Sequence, residues 1–229
     1  MKIVTNEKLI DRNKKIGQYT TIGSLVILAG GLYLSFQQNS TQIYVSLAAL
    51  LIGFALSQVG IYFGNRYGKS PRPDEVITSS LKGLEDKYTL YHYTTPIPHL
   101  LLGPSGAWVL IPYHQGGTIT YERGRWKQKG GSWYLKFFAQ DSLGRPDYEV
   151  EAQVDKIKKV FSTKMSDSAI PEIRPALVFT NPKANIAAEE TPIPALTPGK
   201  LKDFIRKKAK ESPLSPDQLE VLKSSLANT

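Results

Sequence analysis

The stretch Ile16–Asn65, IGQYTTIGSLVILAGGLYLSFQQNSTQIYVSLAALLIGFALSQVGIYFGN, contains no Asp, Glu, Lys or Arg. Charged residues make up 21% of the chain, so a run of this length without one has odds of about one in 10^5 by chance. It holds two apolar segments, Tyr19–Phe36 and Ile43–Phe63, separated by the polar but uncharged QQNSTQ. A helix rises about 1.5 Å per residue and needs about 20 apolar residues to cross a hydrocarbon core of about 30 Å. The second segment reaches this length and the first reaches it with flanking residues, so the stretch predicts a two-helix transmembrane hairpin.

Basic residues flank this hairpin on both sides and are missing from the loop between its segments. They are Lys2, Lys8, Arg12, Lys14, Lys15, Arg66, Lys69 and Arg72. Because cytoplasmic flanks of membrane helices are enriched in Lys and Arg, we expect both termini in the cytoplasm and the loop outside. Aromatic residues lie near both expected interfaces: Tyr19, Tyr33, Phe36, Tyr44, Tyr62 and Phe63. The predicted location is the cell (inner or plasma) membrane, crossed twice, with the lipid bilayer as a partner.

Two other classes of protein contain similar apolar segments. A cleaved signal peptide has a basic start and one apolar region, but here no small-x-small cleavage site follows and a second apolar segment comes at once. A buried helical hairpin in a soluble protein needs a much larger partner to cover both helices on all sides. The membrane hairpin therefore remains the favoured interpretation.

Small residues recur on one face of the second segment. Ala49, Gly53, Ser57 and Gly60 follow each other at spacings of about one helical turn. Such a face lets another helix approach closely, most simply the first segment with Gly23 and Gly30 opposite. The alternatives are a contact in a dimer, or the ordinary glycine enrichment of membrane helices.

Length and composition bound the rest of the chain. The whole chain has 229 residues, so the part after the hairpin has room for one domain of about 160 residues, which is enough for a hydrophobic core. The absence of cysteine excludes disulfides and thiolate metal sites, and suits the reducing cytosol. The net charge of +9 favours anionic partners, which include nucleic acid and an anionic leaflet.

The predicted organisation has four parts: a cytoplasmic lead-in over residues 1–18, the hairpin over 19–63, a Gly-, Pro- and Arg-containing linker over 64–73, and a cytoplasmic domain over 74–229. In the domain, helical spacing from Asp74 to Tyr88 is followed by strand-like runs separated by Gly-rich turns. A second helix starts at Pro146, and Ala176–Thr180 has the pattern of a buried strand. Thr197-Pro198 and Ser215-Pro216 each place a capping residue before a proline, which predicts two closing helices.

The segment Ile97–Ile111, IPHLLLGPSGAWVLI, resembles the central motif of the nuclease-related domain (NERD) family. That motif has Asp-His, three apolar residues, Gly-Pro-x-Gly, an apolar strand and Glu-x-Lys. The resemblance implies a restriction-endonuclease-like αβββαβ domain, of mixed α/β class with a mixed sheet and two extra C-terminal helices. It also implies DNA phosphodiester hydrolysis with Mg2+, held by the Asp and the Glu beside the Lys.

The chain departs from that motif at its chemical positions. Pro98 stands at the Asp position, Ile111 at the Glu position and Tyr113 at the Lys position, whereas Glu75 and His99 survive. Proline and isoleucine offer no ligand to a hard cation, which requires oxygen donors. We therefore expect no catalytic residue, no metal and no cofactor. The alternative is an active nuclease that keeps Mg2+ on relocated ligands, such as Glu75 with His99 or Glu122 with Asp141.

A cluster of cations follows the motif. Its members are Arg123, Arg125, Lys127, Lys129 and Lys136, interleaved with Trp126, Trp133 and Tyr134. Cations beside aromatic rings are typical of nucleic-acid platforms, where phosphates contact the cations and bases stack on the rings. An ordinary half-exposed strand would instead bury Trp126 and leave the lysines in water. A second basic run, from Lys200 to Lys210, has an apolar face that either docks on the sheet or lies against lipid.

These observations predict an integral membrane protein with a catalytically inactive NERD-like domain that binds nucleic acid or an unidentified protein at the membrane. The two other hypotheses are an active metal-dependent nuclease and a purely structural scaffold. No small-molecule substrate is expected.

Overall fold

The computed structural model describes residues 1–37, 39–130, 142–164, 170–188 and 191–227. The chain divides into two compact units. One, Asn6–Arg72, is called the helix-pair unit below. The other, called the sheet domain, combines Met1–Thr5 with Pro73–Thr229. The predicted lead-in over residues 1–18 is therefore not a separate segment, because its first five residues belong to the sheet domain and the rest to the first helix.

The helix-pair unit consists of α1 (Glu7–Ser35) and α2 (Ser40–Phe63), followed by a π-helical turn (Gly64–Gly68). Asparagine caps both helices: the Asn6 side chain accepts a hydrogen bond from Leu9 N, and Asn39 accepts one from Thr41 N. α1 begins well before the predicted apolar segment, because the cap at Asn6 and the helix-favouring residues after it start the helix at Glu7.

Small residues let α1 and α2 approach closely. A Cβ atom on Gly53 would lie 2.7 Å from Leu28 Cγ, and one on Gly31 would lie 3.0 Å from the Cβ atom of Ala49. The Ser46 hydroxyl donates to the Gly31 carbonyl at 2.6 Å across the two helices. Backbone approach of this kind is what a small-residue face permits.

The partners on α1 differ from those expected. Gly23 and Gly30 have open space where a Cβ would be, whereas Gly17 faces Phe63 and Gly31 faces Ala49. The buried face of α1 carries Gly17, Ser24 and Gly31, and each expected glycine comes one residue before Ser24 or Gly31, about 100° away around the helix. On α2, Ala49, Gly53 and Gly60 face α1, and Ser57 bonds within its own helix to the Phe54 carbonyl.

The sheet domain is built on a six-stranded mixed sheet in the order β1-β2-β3-β4-β7-β9. β1 is parallel to β2, β2 to β4 are antiparallel neighbours, and β4, β7 and β9 are parallel. A second sheet has the order β6-β5-β8. The strands are β1 (Lys2–Thr5), β2 (Thr89–His92), β3 (His99–Gly103), β4 (Gly106–Tyr113), β5 (Gly117–Glu122), β6 (Arg125–Lys129), β7 (Ile173–Phe179), β8 (Ala184–Ile186) and β9 (Ala195–Leu196).

Helices cover both faces of the six-stranded sheet. α4 (Pro146–Ser162) and α6 (Pro216–Ala227) pack on the face that carries Leu100, Ile111 and Phe179. α3 (Pro73–Ser80) and α5 (Pro198–Glu211) pack on the opposite face. Side chains alternate between the two faces along each strand, which assigns consecutive motif residues to different cores.

The structure confirms a mixed α/β class with a mixed sheet, and the predicted starts at Pro146, Pro198 and Pro216. The helix predicted from Asp74 to Tyr88 ends instead at Ser80. Gly83 then has φ of +87°, a left-handed conformation that breaks a helix. Leu81, Leu84 and Tyr88 remain buried, which explains why their spacing imitated a longer helix. The strand expected at Trp133–Phe138 lies outside the described residues.

Candidate functional site

The nuclease-like motif forms a hairpin of β3 and β4. Leu100 pairs with Val109 and Gly103 with Gly106, where Gly106 has φ of +99°. Ile111 lies on β4, and Pro98 comes one residue before β3, the strand that pairs with β4. The positions assigned to the two acids of the motif therefore lie on β4 and directly before its neighbouring strand.

The side chain of Ile111 belongs to an apolar core. Ile111 is 1% exposed and lies in one cluster with Ile157 and Phe161 of α4. Pro98 is half-buried and comes one residue before β3. A divalent cation requires several oxygen ligands, and neither side chain offers one. Within the part of the chain that the structure describes, no group of three or more His, Asp or Glu residues is arranged to hold a metal ion.

Tyr113 occupies the position assigned to the motif's lysine and is tied to α4. Its hydroxyl donates to Glu149 Oε2 at 2.6 Å, and its ring stacks on Phe179 with 5.5 Å between ring centres. Gln153 Nε2 donates to the other carboxylate oxygen of Glu149 at 3.2 Å. Burial, reinforced by the hydrogen bond to the Glu149 carboxylate, raises the pKa of Tyr113 far above its usual value of about 10. The phenol therefore stays protonated, and its hydrogen bond to Glu149 connects β4 to α4.

The two surviving motif residues lie elsewhere. His99 is fully buried on the sheet face that α3 covers, because it alternates with Leu100 along β3. Its Nδ1 atom lies 2.8 Å from His92 Nδ1, and His92 Nε2 lies 2.9 Å from the Thr78 hydroxyl on α3. Two imidazole nitrogens at this distance share one proton, so one ring donates and the other accepts. Glu75 is half-buried in the first turn of α3.

The sequence did not predict the His92–His99 pair or the hydrogen bond between Tyr113 and Glu149. The first depends on the pairing of β2 with β3, in which His92 and His99 are direct partners. The second joins residues 36 positions apart in the chain. Both contacts depend on how the elements pack. Alternation along the strands predicts which face of the sheet each side chain lies on, but it does not predict the partner of that side chain.

The described cations of the cluster lie on the exposed face of β6 or in the turn before it. Arg125, Lys127 and Lys129 lie on the exposed face of β6, and Arg123 lies in the turn with φ of +53°. Lys127 Nζ and Lys129 Nζ lie 2.8 and 3.5 Å from the Glu122 carboxylate, and the hydrogen bond from Lys127 lowers the pKa of Glu122. Lys136, Trp133, Tyr134 and Asp141 lie outside the described residues.

Trp126 lies on the other face of β6. It is 8% exposed, its ring packs on Tyr121, and its indole N–H donates to Asp147 Oδ1 at 3.1 Å. A nucleic acid lying on the exposed cations would not reach this ring. Among the described residues of the hairpin, the exposed cations therefore have no exposed aromatic side chain interleaved with them on β6, of the kind that base stacking requires.

The second basic run forms α5. Leu201 and Ile205 are buried, and Phe204 makes an edge-to-face contact with Trp108 at 5.3 Å. Arg206 donates to the Gly83 carbonyl at 2.9 Å. The apolar face of α5 thus docks on the sheet, and most of its cations face solvent.

The helix-pair unit has an apolar exterior. Of the exposed large apolar side chains in the described residues, all but Ile3, Tyr148 and Val221 belong to this unit. Among the described residues, one helical segment, Ser40–Ser80, is long and apolar enough to cross a membrane, and 17% of its apolar window is buried. That window lies in α2, since charged residues follow from Arg66 onward. The apolar part of α1 is interrupted by Thr20, Thr21, Gly23 and Ser24.

Comparison with protein-family models, with curated proteins and with solved structures finds no match for this chain. The resemblance to the nuclease-related domain stays a prediction based on the motif.

Proposed function

We propose that this chain is an integral membrane protein in which α1 and α2 both span the bilayer and the sheet domain is cytoplasmic. The observation that supports the proposal most strongly is that the helix pair has small residues between its helices and large apolar residues on its outer surface. Gly31, Gly53 and Gly60 face the partner helix, whereas large apolar side chains point outward on both helices. Water makes such an exterior unfavourable, at about 25 cal/mol per Å² of apolar surface, whereas lipid accommodates it.

Aromatic side chains bound this apolar exterior. Tyr19 and Tyr62 are 72% and 56% exposed at one end of the pair, and Phe36 and Tyr44 are 77% and 75% exposed at the other. Tyr19 to Phe36 and Tyr44 to Tyr62 each span about 26 Å along the helix axis. That length is close to a hydrocarbon core of about 30 Å, and exposed Tyr and Trp belong at its two boundaries. The basic flanks support a cytoplasmic location for both ends.

Accessibility of single cysteines tests the topology, because the chain contains none of its own. We expect Ser40→Cys, in the first turn of α2, to react with a membrane-impermeant maleimide in intact cells. Asp217→Cys, exposed on α6, should react only after permeabilisation. The full chain should also stay in the membrane during alkaline carbonate washing. Release by carbonate, or labelling of Asp217→Cys in intact cells, contradicts the proposal.

We further propose that the sheet domain acts by binding rather than by hydrolysis. Support comes from the buried Ile111 and from Tyr113, whose hydroxyl is committed to Glu149. The candidate ligand surface is the exposed face of the β5–β6 hairpin with Arg123, Arg125, Lys127 and Lys129. Nucleic acid is the ligand to test first, since phosphate neutralisation is what such cations supply.

The full chain in detergent, with Mg2+ or Mn2+ and single- or double-stranded DNA, separates the hypotheses. We expect no cleavage, and binding that weakens steeply with salt and is lost when the four cations are changed to Gln. Cleavage that Glu75→Gln abolishes would establish the active nuclease instead. Absence of DNA binding at low salt would favour the protein partner or the scaffold.

A further inference from the structure

A band of cations lies at one end of the helix-pair unit. On α1, Lys8, Arg12 and Lys15 precede Tyr19 at spacings of four, three and four, so they share its exposed face. After Tyr62 on α2, Arg66 and Lys69 follow. We call Lys8, Arg12, Lys15, Arg66 and Lys69 the cation collar.

Contacts between the helices show that the Tyr19 end of α1 is level with the Tyr62 end of α2. Gly17 faces Phe63 and Thr21 faces Gly60, which sets an antiparallel register. In that register Tyr19 is level with Tyr62, and Arg66 and Lys69 come after the end of α2 at Phe63, in the π-helical turn and directly after it. The collar cations of α1 lie within about 17 Å of Tyr19, over eleven or fewer residues of helix rise, and Arg66 and Lys69 lie within seven residues of Tyr62.

The geometry at Tyr62 shows how the collar meets the aromatic boundary. A guanidinium N–H of Arg66 donates to the Tyr62 hydroxyl at 3.2 Å, and its Cζ lies 5.9 Å from the centre of the ring. An exposed tyrosine belongs at the boundary between hydrocarbon and headgroups. The Arg66 side chain is thus held at the depth where lipid phosphates lie.

We propose that the cation collar binds the phosphates of anionic phospholipids in the cytoplasmic leaflet. The inference rests on the proposed membrane insertion and names the lipid class that the helix pair selects. The collar gathers cations from both ends of the helix pair's chain at one boundary, and an anion bound among them lowers their mutual repulsion. A lipid phosphate is already at this depth, whereas a nucleic acid would have to approach an anionic surface that repels it.

Lipid selectivity tests the proposal on the full chain. The protein is incorporated into phosphatidylcholine vesicles, and the association of spin-labelled phosphatidylglycerol is compared with that of spin-labelled phosphatidylcholine. We expect a preference for the anionic lipid of at least about threefold, consistent with the attraction of several cations near a membrane surface. Changing Lys8, Arg12, Lys15 and Lys69 to Gln should bring the ratio to about one.

A matched control removes four exposed cations of the sheet domain, Lys156, Lys158, Lys200 and Lys210, also by substitution with Gln. The control should keep the preference, and an excess of inorganic phosphate at constant ionic strength should leave it unchanged. If the control variant loses the preference for the anionic lipid to the same extent, the lipid headgroups bind the sheet domain and the proposal is overturned. Loss on addition of phosphate overturns it in favour of a site for free phosphate.

Two outcomes separate this proposal from the one on which it rests. Incorporation into neutral vesicles without preference for the anionic lipid overturns the collar as a lipid site and leaves the membrane insertion standing. Failure of the chain to incorporate at all overturns both.

Discussion

At the residue scale, Tyr113 determines the chemistry at the end of β4, where the predicted resemblance to the NERD motif would place a lysine. A lysine there would supply a mobile cation beside a metal, whereas the phenol donates a short hydrogen bond to Glu149 and stacks on Phe179. The bond involves a charged acceptor in a partly buried place, where such bonds are stronger than neutral ones. The side chain thus joins β4 to α4 and stabilises the packing of the helix on the sheet.

Tyr113→Phe removes the donor and leaves a partly buried carboxylate oxygen without it. We expect the free energy of unfolding to fall by about 1–3 kcal/mol, measured by denaturant unfolding of the full chain in detergent. Tyr148→Phe is the matched control, because Tyr148 is 62% exposed. Equal effects of the two substitutions would mean that the hydrogen bond to Glu149 contributes nothing.

The raised pKa of Tyr113 predicts how this difference depends on pH. Below the unfolded pKa of about 10 the phenol is protonated in both states, so its contribution is complete. Above that value the unfolded chain loses the proton and the folded chain keeps it, so the folded state becomes less stable. The advantage over Tyr113→Phe should shrink by about 1.4 kcal/mol per pH unit above about pH 10. A difference that is constant from pH 8 to 11 contradicts the raised pKa.

At the element scale, two glycines of similar sequence context have different surroundings. A side chain at Gly53 would overlap Leu28, whereas Gly30 has open space. We expect Gly53→Leu to destabilise the helix pair by about 1–3 kcal/mol through overpacking, and Gly30→Leu to change it by less than about 0.5 kcal/mol. Thermal unfolding of both variants in the same detergent measures the difference. The reverse order would contradict the register of α1 against α2.

The strand β1 is too short to be predicted from the sequence pattern. Only four residues long, it pairs with β2, and Lys2 N donates to the Tyr88 carbonyl at 2.9 Å. Val4→Pro should disrupt this pairing, because proline has no N–H to donate and fits poorly inside a strand. We expect faster hydrogen exchange at Leu90–His92 and unchanged exchange at Leu177–Phe179. Unchanged exchange in β2 would show that β1 does not pair with it.

At the scale of the whole molecule, the helix pair is inserted into the sheet domain. The chain leaves the sheet at Thr5, enters α1 two residues later, and returns at Pro73. A fragment that starts after the helices therefore lacks an edge strand of the sheet. The chain therefore passes between the two units twice, after Thr5 and before Pro73.

This arrangement predicts that the chain stays assembled after a cut between α1 and α2. A protease site inserted after Asn39 should yield a short piece that carries β1 and α1, and a long piece that carries the rest. We expect the two pieces to elute together from gel filtration in detergent, because β1 pairs with β2 and α1 packs on α2. Addition of denaturant should separate them. Separation without denaturant would contradict the role of β1 in the sheet.

The sequence by itself determined the uncharged helical stretch, the helix starts at Pro146, Pro198 and Pro216, and most of the strands. These follow from local signals: charge, periodicity, capping residues and turn glycines. Ile111 and Tyr113, which stand where the motif has Glu and Lys, were also visible in the sequence, because that depends on residue type alone.

Only the tertiary structure decided the partners of these elements. It placed Met1–Thr5 beside β2, ended α3 at Ser80, and made Asp147 the hydrogen-bond partner of the Trp126 indole. It also selected Gly17 and Gly31 over Gly23 and Gly30. The physical reason is that strand pairing and helix packing depend on contacts between residues far apart in the chain. A local pattern shows which face of an element is apolar, but it does not show which other element covers that face.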